Sequence, residues 1–366
     1  MTRTRFLYQA LIFALMSCGC SIDVTSAAET PAAAISPVTA STSALPVTQI
    51  PITWAHLNLT GKLVYLNSTM EGEQLASNVQ MLDLATGEVA TVFSISPAWI
   101  YYGTISPDAK TMVISYAPPQ QSNSPSVRSL YVLSLHGSAD PQLLFTPPTS
   151  GDRYTQAEWS PDGKYIYYVH YNQEEQSQSG FFEDYDISRM TYPDGEHEKI
   201  LEHTFWPRIS DDSSRLVYVS LDPVSGKNEL FVANADGSNP QPVALSGTPP
   251  DIIDAPIFSP DGESILFSAP EPSQSYQPNF FERWMGIQVA KAHSVPSDWW
   301  SVPVSGGVPT RLTNLQTINL FGSISPDREH FASLSGEGIF VMNLDGSNLT
   351  QLVSDSGVHG TVSWIP

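Results

Sequence analysis

The stretch "WSPDGKYIYY" (159–168) decides the fold, because four further stretches of the chain closely resemble it. These are "ISPDAKTMVI" (105–114), "ISDDSSRLVY" (209–218), "FSPDGESILF" (258–267) and "ISPDREHFAS" (324–333). Proline and aspartate favour a tight turn, and the alternating apolar residues that follow the turn indicate a β-strand. The sequence therefore predicts one strand–turn–strand unit repeated along the chain.

A second recurring feature is a glycine turn between two further apolar segments. Its six copies are "LATGEV" (84–89), "LHGSAD" (135–140), "YPDGEH" (192–197), "NADGSN" (234–239), "VSGGVP" (304–309) and "NLDGSN" (343–348). Asp-Gly and Gly-Gly pairs supply the positive φ angles that a two-residue hairpin requires. Repeats of about 40–50 residues with four strands each are typical of propeller blades. We expect an all-β chain of six four-stranded antiparallel blades, closed into a ring because a closed ring leaves no blade exposed at an end.

The C-terminal segment "HGTVSWIP" (359–366) supplies a strand that the first blade lacks. Six glycine turns accompany only five Ser-x-Asp turns, and the first unit begins near Lys62 at its second strand. Trp364 matches Trp159 of the quoted repeat. We predict that residues 359–366 complete the first blade and close the ring.

These turns and strands resemble the TolB-type, WD40-like β-propeller repeat over most of residues 54–366. The resemblance implies a six-bladed propeller and no particular activity, since the repeat occurs in proteins of very different function. TolB itself carries an α/β domain before its propeller, and prolyl-oligopeptidase relatives carry a hydrolase domain with a Gly-x-Ser-x-Gly motif. We expect neither domain in this chain, so neither a Tol-system role nor peptidase activity is carried over.

The first 17 residues have the pattern of a lipoprotein signal peptide. Arg3 and Arg5 precede an apolar run that is too short for a comfortable membrane span. The segment "LMSC" (15–18) resembles the bacterial lipobox, and that resemblance implies that Cys18 is lipidated; an ordinary cleaved leader is the alternative. Several acyl chains anchor a protein stably. We expect attachment to a bacterial membrane on its periplasmic or cell-surface side.

Residues 18–53 are predicted to form a flexible tether without helix or strand, because Ser, Thr, Ala and Pro dominate them. The propeller is assigned to residues 54–366. Cys18 and Cys20 are the only cysteines, so we expect no disulfide and no cysteine metal cluster within the propeller. The net charge of −21 argues against a nucleic acid partner, because such a surface repels phosphates.

The sequence shows no catalytic motif, and we expect neither a metal nor a cofactor. The eight histidines are scattered and form no His-Glu-x-x-His pattern. Asp251 and Asp254 admit a metal site, although a solvated loop is the simpler interpretation. The aspartates of the Ser-x-Asp turns are expected to bond their own turn backbone. Glu158 and Arg208 occupy equivalent positions of adjacent blades, where they could form a structural ion pair.

The predicted ligand site lies on the loops between the second and third strands of the blades. The large insertions fall there, at 117–128, 172–184 and 270–298, so one face of the ring is elaborated and the other is plain. We predict that aromatic and basic residues rim a pocket over the channel mouth: Phe181, Phe182, Trp206, Arg208, Tyr276, Phe280, Phe281, Arg283 and Trp284. The alternative is that the aromatic residues only pack these loops onto the propeller.

Three classes of function remain open at this point. The first is a non-enzymatic lipoprotein that binds a protein, peptide or glycan of the envelope or the exterior. The second is an enzyme of the polysaccharide lyase or hydrolase type, with its site at the channel mouth. The third is a purely structural envelope protein. A cluster of histidine, arginine and carboxylate side chains at one mouth favours the enzyme, and an aromatic pocket without such a cluster favours binding.

Overall fold

The computed structural model describes residues 46–366, except for 73, 119–126, 137–139, 150, 173–183, 194, 222–227, 249, 251 and 272–294. The described residues form six antiparallel β-sheets, which confirms the all-β, six-bladed fold. A single turn of 3-10 helix, Ala55–Leu57, precedes the first full-length strand. Among these residues there is no helix with the length and apolar character needed to cross a membrane.

Blade 1 contains strands from both ends of the described chain. From the centre outward they are β25 (Val358–Ile365), β2 (Lys62–Glu71), β3 (Gln74–Asp83), β4 (Glu88–Ile95) and β1 (Val47–Gln49). Strand β25 pairs antiparallel with β2, with Leu63 opposite Trp364, so the predicted closure by the C-terminal segment is confirmed.

The outer strand β1 differs from the expectation that the tether contains no strand. Val47 pairs with Ala90 and Gln49 with Glu88 along the outer edge of β4. An edge strand otherwise leaves a row of backbone groups unpaired, and β1 covers part of this row. Residues 18–45 of the predicted tether, including Cys18, and the predicted signal peptide lie outside the described residues.

The other five blades each have four strands in chain order. Blade 2 contains β5 (Trp99–Ile105), β6 (Thr111–Ala117), β7 (Ser129–Ser134) and β8 (Gln142–Phe145). Blade 3 contains β9 (Arg153–Trp159), β10 (Tyr165–Asn172), β11 (Asp184–Thr191) and β12 (His197–Leu201). Blade 4 contains β13 (Thr204–Ile209), β14 (Arg215–Leu221), β15 (Asn228–Asn234) and β16 (Gln241–Pro242). Blade 5 contains β17 (Asp254–Phe258), β18 (Ser264–Ala269), β19 (Asp298–Pro303) and β20 (Thr310–Arg311). Blade 6 contains β21 (Phe321–Ile324), β22 (His330–Ser335), β23 (Gly338–Asn343) and β24 (Thr350–Ser354).

The Ser-x-Asp turns have the internal bonding that their sequence predicts. In blade 3, Oδ1 of Asp162 accepts hydrogen bonds from the Ser160 hydroxyl at 2.7 Å and from the backbone N–H of Lys164 at 3.1 Å. Equivalent bonds recur at four further turn aspartates: Asp108, Asp212, Asp261 and Asp327. The prediction that these carboxylates serve their own turns is confirmed. We call the side of the ring that carries these turns the turn face.

The first strand lies innermost in blades 2 to 6, and β25 lies innermost in blade 1; neighbouring innermost strands contact one another around the central channel. The repeated aromatic position just before the turns is buried at Trp159, Phe258 and Trp364, where these side chains join the apolar core. The closing strand is also fixed to blade 2. The ring of His359 stacks on Trp99 with centroids 4.3 Å apart, and its Nε2 lies 3.0 Å from the carbonyl oxygen of Ile100.

Candidate functional site

An ion pair joins blades 3 and 4 inside the central channel. Nη1 of Arg208 donates to Oε2 of Glu158 at 2.9 Å, and Nη2 donates to the Tyr102 hydroxyl at 3.1 Å. The hydroxyl of Thr104 also donates to Glu158, at 3.4 Å. The predicted pairing of Glu158 with Arg208 is confirmed, and side chains of three consecutive blades meet in this network.

Burial makes this network sensitive to the loss of any one partner. The side chains of Arg208 and Glu158 are 16% and 15% exposed. Burial raises the pKa of Glu158, while the charge of Arg208 opposes this effect. Burial likewise raises the pKa of Tyr102 to about 12, so its hydroxyl stays protonated. A buried pair of this kind contributes little net stability, but an unpaired member is costly.

Three aromatic rings from alternate blades meet next to this ion pair. Tyr102 of blade 2, Trp206 of blade 4 and Phe321 of blade 6 have ring centroids 5.6 to 6.0 Å apart. All three side chains are buried. At this level the channel is therefore occupied by packed rings.

Asp254 is a buried carboxylate on the channel wall. Trp206 donates its indole N–H to Oδ1 of Asp254 at 3.1 Å, and only 2% of Asp254 is exposed. Burial raises the pKa of Asp254 to about 7. The expectation of a solvated loop is thus wrong for Asp254, because this residue begins the innermost strand of blade 5. Asp251 lies outside the described residues.

The innermost strands of blades 3, 4 and 5 each contain a β-bulge that changes the direction of a side chain. Gln156, Trp206 and Ala255 occupy the same repeat position, four residues before the turn serine or its equivalent, and their φ angles are 49°, 59° and 45°. The strand pairing shifts register at each of these positions. Left-handed backbone at a residue other than glycine costs about 1–3 kcal/mol and often occurs at functional sites. One consequence is that the side-chain oxygen of Gln156 accepts the backbone N–H of Trp206 at 2.8 Å.

A second ion pair lies on the turn face, and this one joins two blades that are not adjacent. Arg328 in the turn of blade 6 donates to Asp211 in the turn of blade 4. Because the turns of these blades surround the channel mouth, this contact reaches from one side of the mouth toward the other.

The opposite side, which we call the loop face, carries a row of aromatic and arginine side chains across blades 2 and 3. Cζ of Arg128 lies 3.3 Å from the ring centroid of Tyr101, and Cζ of Arg153 lies 3.8 Å from that of Tyr171. Trp99 meets Tyr101 edge-on at 6.2 Å. We call these five residues the loop-face arc. All except Tyr171 are partly exposed in the described structure.

The two arginines of the arc lie side by side. Arg128 and Arg153 form an isolated parallel bridge between blades 2 and 3, and paired strands are about 4.8 Å apart. A guanidinium close over the face of an aromatic ring is held by a cation–π contact, and its planar set of N–H donors suits bidentate recognition of a carboxylate. In a chain with 16 basic and 37 acidic residues, two adjacent arginines are an unusual local feature.

The sequence-predicted ligand residues divide into two groups. Trp206 and Arg208 lie inside the channel wall, bonded to Asp254 and Glu158 as described above. The remaining seven lie outside the described residues: Phe181, Phe182, Tyr276, Phe280, Phe281, Arg283 and Trp284. Their common pocket stays a prediction. The loop-face arc was not predicted. The sequence does contain a signal for it, because its two arginines and its aromatic residues all lie at the ends of predicted strands.

Comparisons with known proteins agree with this architecture. No protein-family model matches the chain. A protein assigned to TolB from Agrobacterium tumefaciens is 17% identical with a TM-score of 0.58, and the match covers 82% of this chain and 99% of that one. TolB from Acinetobacter baumannii is 15% identical with a TM-score of 0.60, covering 84% and 67%. Oligogalacturonate lyase from Vibrio parahaemolyticus is 11% identical with a TM-score of 0.50, covering 85% of each chain.

These similarities define a class by fold. The chain is a six-bladed β-propeller with the blade arrangement of TolB proteins. At these identities the likeness concerns the fold alone, and a ligand has to be argued from the residues of this chain.

Proposed function

We propose that this protein is an exported, lipid-anchored binding module that takes an acidic peptide, protein segment or glycan on its loop face. The observation that carries the proposal is the loop-face arc, in which Cζ of Arg128 and Cζ of Arg153 lie 3.3 and 3.8 Å from the centroids of tyrosine rings at the boundary of blades 2 and 3. The turn face carries only short turns, and its Arg328 is already paired with Asp211. Binding sites on propellers and similar scaffolds commonly lie on the face with the longer loops.

Charge complementarity supports a ligand that bears carboxylates. With a net charge of −21, most of the surface repels an anionic ligand, and the arc places two arginines next to each other. Tyr101 and Trp99 add aromatic surface beside the guanidinium groups. The seven aromatic and basic loop residues predicted from the sequence are proposed as further contacts, because their loops begin on the same face.

The export and anchoring part of the proposal rests on the N-terminal sequence. Arg3, Arg5 and the following apolar run form the signal peptide, and Cys18 is the acceptor of the lipid. A lipid anchor places the propeller on the periplasmic or outer side of a bacterial membrane, where envelope proteins and glycans are its available partners.

Two acidic polymers test the ligand class. We expect the protein to bind polygalacturonate or polyglutamate, as measured by isothermal titration calorimetry, and Arg128→Gln and Arg153→Gln to weaken that binding at least tenfold. Lys164→Gln on the turn face changes the charge equally and serves as the matched control. Equal weakening by the control, or full binding by both arginine variants, contradicts the proposed site. A wild-type protein that binds neither polymer favours a structural role or a ligand without carboxylates.

A carbohydrate-cleaving enzyme is the second candidate, and Asp254 favours it. A carboxyl group with a pKa of about 7 is suited to proton transfer near neutral pH. The indole N–H of Trp206 donates to this carboxyl group at 3.1 Å. The similarity in fold to an oligogalacturonate lyase suggests polygalacturonate as the first substrate to assay. Cleavage that Asp254→Asn abolishes supports the enzyme, and binding without cleavage supports the binding module.

A further inference from the structure

The turn of blade 6 differs from its counterparts in the side chains that face its aspartate. Here the turn reads "SPDREH" (325–330), and ligand atoms of Asp327, Glu329 and His330 all lie within 4.8 Å of one another. Among the residues that the structure describes, this is the one group of three such side chains so close together. Two carboxylates and an imidazole are a donor set that suits Zn²⁺.

Two of the other four turns carry a cation at the position of Glu329, whereas blade 4 has Ser214 and blade 5 has Glu263 there. In blades 2 and 3, the residue equivalent to Glu329 is a lysine, and its ammonium group contacts the second carboxylate oxygen of the turn aspartate. Nζ of Lys110 lies 3.3 Å from Asp108, and Nζ of Lys164 lies 2.9 Å from Asp162. In blade 6 this cation is replaced by a carboxylate, so Asp327 and Glu329 place two negative charges together.

His330 completes the donor set. Its Nδ1 lies 3.6 Å from Oδ2 of Asp327, which is longer than a good hydrogen bond. This nitrogen is buried, and within the described part of the chain it has no hydrogen-bond partner. Two ligands of a tetrahedral Zn²⁺ ion are separated by about 3.4 Å, given metal–ligand distances of about 2.0–2.1 Å. The aspartate and the histidine are therefore already close to the spacing that a shared zinc ion requires.

We propose that Asp327, Glu329 and His330 form a binding site for a divalent transition-metal ion, with Zn²⁺ as the ion that its donors suit best. Oδ1 of Asp327 remains bonded to its own turn, so Oδ2 is the oxygen that faces the ion. The ring of His330 also lies 6.2 Å from that of Trp364 on the closing strand. A bound ion thus stabilises the turn of blade 6 where it packs against the strand that closes the ring.

The test uses the full chain without a polyhistidine tag, titrated with ZnCl₂ by calorimetry, and with CoCl₂ to record the visible absorption of a site with a nitrogen ligand. We expect Glu329→Lys, which restores the lysine of blades 2 and 3, and His330→Gln to weaken Zn²⁺ binding at least tenfold and to remove the cobalt band. Glu263→Lys, at the equivalent position of blade 5, is the matched control and leaves both signals unchanged. Equal thermal unfolding of all variants in EDTA shows that folding is intact.

A gain of binding tests the same idea in the opposite direction. Blade 5 already has Asp261 and Glu263 at the equivalent positions, with Ser264 in place of the histidine. Ser264→His is expected to add a second Zn²⁺ equivalent. Wild-type protein without measurable Zn²⁺ binding, or Glu329→Lys protein that binds as tightly as wild type, overturns the proposal. Failure of Ser264→His to add an equivalent counts against an Asp, Glu and His donor set on this turn as a Zn²⁺ site.

Discussion

Nη1 of Arg208 lies 2.9 Å from Oε2 of Glu158, and this contact joins blades 3 and 4 beside the channel. The same guanidinium bonds to Tyr102 of blade 2. One arginine thus links three of the six blades at their innermost strands. Replacing Arg208 therefore changes contacts among the buried side chains at the centre of the ring.

The first prediction concerns this ion pair. Arg208→Met leaves the carboxylate of Glu158 buried without its cation, so we expect a loss of about 3–5 kcal/mol in the free energy of unfolding. In the double variant Arg208→Met, Glu158→Gln no charge remains unpaired, and we expect at least half of that loss to be recovered. Urea denaturation followed by tryptophan fluorescence measures both. A double variant no more stable than Arg208→Met shows that lost packing dominates.

The second prediction concerns the pH dependence that Asp254 confers. Its pKa is about 7 in the folded chain and about 3.9 in an unfolded one. Between these values the folded state holds a proton that the unfolded state has lost, so the contribution of Asp254 to stability falls as pH rises from about 4 to 7. The full effect is at most about 4 kcal/mol, at about 1.4 kcal/mol per pKa unit.

Asp254→Asn removes this titration and keeps an oxygen acceptor for the Trp206 indole. We expect the variant to be more stable than wild type at pH 8, and the difference to shrink as the pH falls toward 4. Thermal unfolding at half-unit pH steps measures the trend. Parallel curves for the two proteins across this range show that Asp254 has an ordinary pKa.

The third prediction concerns ring closure. Deleting residues 359–366 removes most of β25, so β2 loses its inner partner and blade 2 loses the contact with His359. We expect the truncated protein to lose cooperative thermal unfolding. Deleting residues 46–50 removes only the outer strand β1 and should lower the midpoint by a few degrees at most. A truncated protein with the wild-type melting curve contradicts the role of β25.

The fourth prediction concerns Cys18. Cys18→Ala should abolish incorporation of a fatty-acid probe and leave either unprocessed precursor or released protein. Cys20→Ala is the matched control, because Ser17 stands where a lipobox centred on Cys20 needs its leucine. Label that persists on Cys18→Ala protein, and disappears from Cys20→Ala protein, moves the lipidation site to Cys20.

Features that follow from repetition could be predicted from the sequence. The six blades, the completion of blade 1 by the C-terminal segment and the self-bonded turn aspartates all depend on local patterns that recur. The pairing of Glu158 with Arg208 could be predicted for the same reason, since equivalent positions of adjacent blades lie side by side in any propeller.

Features that depend on geometry across the ring could not be predicted. Tyr102, Trp206 and Phe321 come from alternate blades, and only the closed ring brings them together. Trp206 has a left-handed backbone because it lies in a bulge, and the residue types of this segment do not predict a bulge. The side chain of Trp206 consequently contacts Asp254 and does not lie at an open rim. Strand β1 is three residues long, too short for an alternating pattern to be recognised.

The position of β1 determines how the domain responds to mechanical tension. Force applied through the segment before Pro46 acts first on β1, which is held by three paired residues and by the hydrogen bonds of Ile50 and Thr91 at its ends. The closing strand β25 lies at the opposite edge of the same blade and carries none of this load at the start. Tension on the segment before Pro46 is therefore expected to detach β1 first, while the six-bladed ring stays closed.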